Sequence, residues 1–180
     1  MVSLNTRVSE LRMIGPAYSA RLKKLEVNTV EDLLYHIPFR YENYQIISKI
    51  SSLQEGETVT VFGRVSKFEN IYTKSAKKIQ KVLISDETGS IPAVFFNQTY
   101  LARILLADTR LTVAGIVKRY SKDLAFFSPQ YEIVKPVTSL LHTARIVPIY
   151  PETEGLTSKW LRSRISALLF KLKIRIVEFL

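Results

Sequence analysis

Two short stretches bring basic and aromatic side chains close together. The first is Asn70-Ile71-Tyr72-Thr73-Lys74-Ser75-Ala76-Lys77-Lys78-Ile79-Gln80-Lys81. Lys74, Lys77, Lys78 and Lys81 are candidates to meet phosphate oxygens, and Tyr72 is a candidate to meet a base. A solvated polar hairpin would have the same composition. The second stretch is Phe95-Phe96-Asn97-Gln98-Thr99-Tyr100-Leu101. On a strand, Ile91, Ala93 and Phe95 face one way while Pro92, Val94 and Phe96 face the other, so the two adjacent rings cannot fill one core. One of the two is core, and the other is available as a flat platform on which an unpaired base can stack. Taken by itself, an exposed phenylalanine also suits contact with another polypeptide.

Other chemistries find no residues to carry them. The chain has no cysteine, which removes disulfides, thiolate zinc sites and cysteine nucleophiles. Its 6 glycines are scattered, and none precedes the Lys-Ser or Lys-Thr pair of a phosphate-binding loop. His36 and His142 stand alone, without the companions a metal needs. Asp86 and Glu87 are adjacent, but inside the turn sequence Asp86-Glu87-Thr88-Gly89. No catalytic residue, cofactor site or metal site is expected. A net charge of +10 favours an anionic partner, either nucleic acid or a lipid surface. The amino terminus lacks the pattern of a signal peptide, and no apolar run approaches the ~20 residues that span a bilayer. The expectation is a cytoplasmic protein with no membrane contact.

The elements that must position these residues fall into three regions. Residues 1–50 read as helical, with Leu11, Ile14, Leu22, Leu25, Leu33 and Leu34 on apolar faces. Gly15-Pro16 interrupts the first pattern. Asn28 or Thr29 caps a helix whose first turn carries Glu31 and Asp32, and which stops before Pro38. Residues 51–135 change to a period of two. Val59, Val61 and Val65 start a first strand, and further strands are expected at 80–85, 90–96, 110–119 and 124–134. A helical stretch at 100–106 lies between the third and fourth. That order is the one of an OB-fold, a small five-stranded barrel. Gly63 and Gly115 fall inside strands, where such a barrel needs a bulge or tight bend. Residues 136–180 read as a Pro-punctuated linker followed by a helix capped at Thr157-Ser158, and the period near Leu172–Ile176 suits helix or strand. The fold class expected is α+β: a five-stranded OB-fold β-barrel with an N-terminal helical region and a C-terminal linker helix.

Leu11 to Leu22 resembles a helix-hairpin-helix, an element that can present a helix N-terminus to phosphate. Met13 stands where the usual pattern has its first glycine, which favours packing over DNA contact.

Taken in order, several segments resemble the RecG family of branch-migrating DNA helicases. They are Ile14-Gly15-Pro16, Asn28 through Glu42, Ser85-Asp86-Glu87-Thr88-Gly89, Phe95 through Leu101, Pro129-Gln130-Tyr131-Glu132 and Pro148 through Leu156. The resemblance implies a wedge domain that binds branched DNA, at stalled replication forks or Holliday junctions, during DNA repair and recombination. It places the family's base-stacking aromatics at Phe96 and Tyr100. It also implies that the partner is a separate C-terminal helicase motor, to which ATP and Mg2+ belong. That motor would normally help to cover the apolar stripe of Trp160, Ile165, Leu168 and Leu169, so the stripe is expected to be open here. Two other readings stand beside this one: a general OB-fold binder of single-stranded DNA or RNA, and a protein-interaction module.

Overall fold

The period-two pattern that begins at Val59 yields one mixed sheet. In the computed structural model, residues 2–72, 78–135 and 140–172 are described. The sheet is built from β2 (Thr58–Tyr72), β3 (Lys78–Ser85), β4 (Ser90–Phe96), β5 (Arg110–Tyr120), β6 (Asp123–Phe127) and β7 (Gln130–Ile133). It follows β1 (Arg40–Asn43) in the chain. Its order is β2-β3-β4-β6-β5-β7, and β5 also pairs with β2, so the pairings of five strands run in a ring. This is the OB-fold expected from the sequence. Inward residues such as Val61, Val82, Ile84, Ala93, Phe95, Val113 and Phe126 are buried together as its core.

Strand β2 serves two neighbours. Its first half, Thr58 to Arg64, pairs with β5, and its second half, Arg64 to Tyr72, pairs with β3. The switch is made at Arg64, which pairs with both, and a bulge follows between Val65 and Lys67. Bulges sharpen the local twist, which lets a strand leave one partner for another. Gly63 lies just before it. A Cβ there would sit 2.6 Å from Ile84 Cγ2 and 2.8 Å from the Ser85 carbonyl oxygen. Gly63→Ala should therefore lower stability by roughly 1–3 kcal/mol, the usual range for overpacking, as read by urea unfolding. An unchanged midpoint would show that β3 yields without strain. Gly115 differs: a Cβ there would be 3.5 Å from Pro129, an ordinary contact. Of the bulge or tight bend expected at both glycines, a bulge lies close to Gly63, while β5 pairs with β2 through Gly115 without a register shift.

Two expectations for this region are corrected. The last strand, expected as one run over 124–134, is divided into β6 and β7. Ser128 takes φ +46° and Pro129 has no N–H to give to a ladder, so pairing stops between them. The helical stretch expected at 100–106 is a 3-10 helix at Thr99–Arg103, anchored by buried Leu101.

The first region contains less helix than its composition implied. Its α-helices are α1 (Pro16–Lys23) and α2 (Val30–Leu34). Gly15 is the N-cap of α1 and Pro16 opens it, where the missing N–H costs nothing. Thr29 caps α2 in a reciprocal box: Asp32 N–H donates to the Thr29 hydroxyl at 3.1 Å, and Thr29 N–H to the Asp32 carboxylate at 2.9 Å. Backbone N–H groups of Asn28 and Thr29 hold the Asp32 carboxyl below its usual range. The expected helical texture gives way after Pro38 to β1, which pairs with β8 (Ile146–Ile149).

The chain divides into two units, Met1–Glu42 with Pro148–Leu180, and Asn43–Val147. The first and last of the three sequence regions thus share a unit. Within it, α3 (Ser158–Leu172) buries Leu161, Ile165 and Leu168 in a second core with Leu22, Val30 and Leu33. Trp160 stacks on Tyr18 at 4.6 Å, with the Arg21 and Arg164 guanidinium groups over the outer faces of the pair. The stripe expected to be open is therefore covered by the N-terminal helices, apart from Leu169, which is exposed. Among the described residues, no helix is long and apolar enough to cross a membrane.

Candidate nucleic-acid interface

Strand β4 sorts its aromatics by pleat. Ile91, Ala93 and Phe95 are buried, and Phe95 meets Tyr131 edge-on at 5.6 Å. Phe96 is 42% exposed. It lies opposite Ile79 on β3, which in turn lies opposite Ile71 on β2, so an apolar row crosses three strands on the outer face.

The turn that follows Phe96 is fixed from below. Asn97 adopts φ +56°, a left-handed conformation that asparagine tolerates. Its N–H donates to the Lys78 carbonyl at 2.7 Å, and its side-chain oxygen accepts from Lys78 N–H at 3.3 Å. Gln98 N–H donates to the Gln80 side-chain oxygen at 2.8 Å, while Gln80 Nε2 donates to Asn70 at 3.2 Å. Gln80 is fully buried, so one amide ties β2, β3 and the turn together. Tyr100 follows, 53% exposed, and its hydroxyl donates to Gln98 Oε1 at 2.9 Å. Burial raises the Tyr131 phenol far above its usual range, and its side-chain hydrogen bond with Tyr100 adds to the shift. Phe96 and Tyr100 thus project from the two ends of one short, hydrogen-bonded turn.

The basic candidates do not form a single row. Lys78 and Lys81 are three residues apart on β3, so the pleat sends them to opposite faces. Lys81 shares the outer face with Phe96, opposite Val94 and Glu69. Lys78 is directly opposite Tyr72, which is 70% exposed. Lys74 and Lys77 lie outside the described residues.

A further basic and aromatic group escaped the sequence reading. Lys118-Arg119-Tyr120-Ser121-Lys122 forms the end of β5 and the tight turn into β6. The signal was present as one aromatic among three basic residues, but it was hidden in what read as the end of a strand. A groove of roughly 730 Å3 runs beside this hairpin, lined by Lys81, Leu83, Pro92, Arg119, Lys122 and Leu124 among others. It occupies the face formed by the second and third strands of the OB-fold, where this fold takes oligonucleotides and oligosaccharides.

Strand order, the helical turn between the third and fourth strands, and a rim of exposed rings define this unit as an OB-fold module. Residues 8–171 match the family described as the RecG wedge domain, and the chain belongs to that family. It is 31% identical over 175 residues to the ATP-dependent DNA helicase RecG of Haemophilus influenzae, covering 96% of this chain and 25% of the relative. With the RecG of Thermotoga maritima it shares 33% identity over 172 residues, covering 89% of this chain and 20% of the relative. A solved structure described as RecG bound to a three-way DNA junction matches it with a TM-score of 0.77 and 29% identity, across 100% of this chain and 25% of that one. The chain therefore spans about a quarter of the length of these relatives.

Proposed function

We propose that this chain binds branched DNA and acts as the wedge of a RecG-type branch-migrating helicase, with Phe96 and Tyr100 seated where the strands part. The observation that carries this reading is the pair of exposed rings held at the two ends of a turn fixed by Gln80 and Lys78. At a branch point, the bases of the first opened pair each lack a stacking neighbour. A ring held in place supplies one without choosing a sequence. Lys78, at the start of β3, adds phosphate contacts that serve every DNA shape. The relative described as RecG bound to a three-way DNA junction supports the choice of branched DNA over plain single strands. In this reading, ATP, Mg2+ and strand pulling belong to a separate motor region.

The test is competition binding at fixed salt among a fork, a Holliday junction, a duplex and a single strand. The fork and the junction should compete best, and affinity for all four should fall as salt rises. A single strand that competes as well as the fork would favour a general single-strand binder. Affinity insensitive to salt would favour a protein partner.

A further inference from the structure

Tyr120 lies at the tip of the β5–β6 hairpin and is 41% exposed. Its ring meets Phe127 edge-on at 5.7 Å, and the Lys81 ammonium lies 5.5 Å from its centroid. Phe127 pairs with Val94, and Val94 with Lys81. Phe96 is two residues beyond Val94 on the same strand, about 7 Å away along it. Phe96, Lys81 and Tyr120 therefore follow one another along the outer face. The groove beside the hairpin continues from there, with Lys81, Arg119 and Lys122 on its walls. Glu55 bonds Arg119 at 2.9 Å. Among the described residues, Lys81 and Lys122 have no carboxylate within ion-pair distance.

We infer that Tyr120 is a third stacking ring, for a base of the unpaired strand that leaves the branch past Phe96, and that Lys81 and Lys122 hold the phosphates of that strand in the groove. This rests on the branch-binding reading of Phe96 and Tyr100. The Lys81 ammonium lies over the Tyr120 ring. A cation over an exposed ring is held more weakly than a stacked base, so an arriving base displaces it. The freed ammonium then lies beside the backbone of the same strand. An aromatic ring followed by a basic groove suits a flexible single strand, whose bases are open to stacking, and does not suit a duplex, whose bases are closed.

The experiment compares two forks that share a branch point. One has a single-stranded tail of about ten nucleotides, within the span of one OB-fold, and the other has none. Tyr120→Leu keeps an apolar side chain against Phe127. It should weaken the tailed fork by about 5- to 150-fold and leave the untailed fork unchanged, while Tyr120→Phe should bind like the parent. Lys122→Gln should flatten the salt dependence on the tailed fork alone. An equal loss on both forks, or no loss on either, overturns the proposal. Should Tyr120→Leu fail to fold, photo-crosslinking decides, using the unaltered chain with 5-iodouracil in the tail. Attachment at Tyr120 supports the track, and attachment elsewhere or none overturns it. If Phe96→Ala leaves both forks unaffected while Tyr120→Leu still weakens the tailed one, the branch-point reading fails and the groove stands as a plain single-strand site.

Discussion

Phe96→Ala and Tyr100→Ala should each weaken fork binding by about 5- to 150-fold and leave duplex binding nearly unchanged. A ring stacked on an unpaired base contributes ~1–3 kcal/mol, and every 1.4 kcal/mol is tenfold in affinity. An intact duplex offers no free base face, so the loss is confined to branched substrates, and selectivity is the difference between the two. The geometry separates the two variants. Phe96 is the last residue of β4 and sits in the row with Ile79 and Ile71, so its removal takes away a ring and leaves the turn intact. Tyr100 also anchors Gln98 through its hydroxyl and contributes to the hydrogen bonding of Tyr131. Tyr100→Phe therefore separates the roles. If stacking dominates, Tyr100→Phe binds the fork like the parent. If the hydroxyl network dominates, it loses as much as Tyr100→Ala. Titrations of fork and duplex against all three variants, with melting curves to establish folding, give the result. A duplex affinity that falls as far as the fork affinity would mean that the rings act through the fold rather than at a branch.

Features held by local sequence were legible from sequence. The Thr29 cap and the acidic first turn of α2 require only neighbours within four residues. The pleat puts Phe95 and Phe96 on opposite faces of β4 whatever surrounds them, while the packing of the core decides that Phe95 is the buried one. Features made by distant partners were not. β1 becomes a strand because β8, about a hundred residues later, supplies its hydrogen bonds, and nothing near Arg40 announces this. The Trp160 stripe was expected to be open because its cover, Leu22, Val30 and Leu33, lies more than a hundred residues earlier in the chain. Tyr120 was missed for the same reason. Its surroundings are Lys81 from β3 and Phe127 from β6, and no window of sequence contains all three. Lys78 and Lys81, grouped by sequence, are separated by the pleat.

Phe95→Ala should act on stability first and on DNA binding only as a consequence. Phe95 is 1% exposed in the OB-fold core and loses its edge-on contact with Tyr131 when truncated. Removing a buried phenylalanine costs ~3–5 kcal/mol, a large share of the ~5–15 kcal/mol that holds a typical domain folded. At roughly 4–8 °C per kcal/mol for a domain near this size, the melt should fall by more than about 10 °C. The chain has a single tryptophan, Trp160, which lies in the unit with α3 rather than in the OB-fold unit. Far-ultraviolet circular dichroism of the strands and Trp160 fluorescence therefore report on different units, and a chain of two units need not unfold in one step. The strand signal should shift by the full amount. A Trp160 signal that stays in place would show that the units unfold separately, and one that shifts equally would show that they unfold together. Phe95→Leu, which retains most of the volume, should recover much of the loss. Well below the melt, Phe95→Ala should bind duplex like the parent, and its fork binding should fall less than that of Phe96→Ala. An intact melt together with weak fork binding would place Phe95 on the DNA side, with the two faces of β4 reversed.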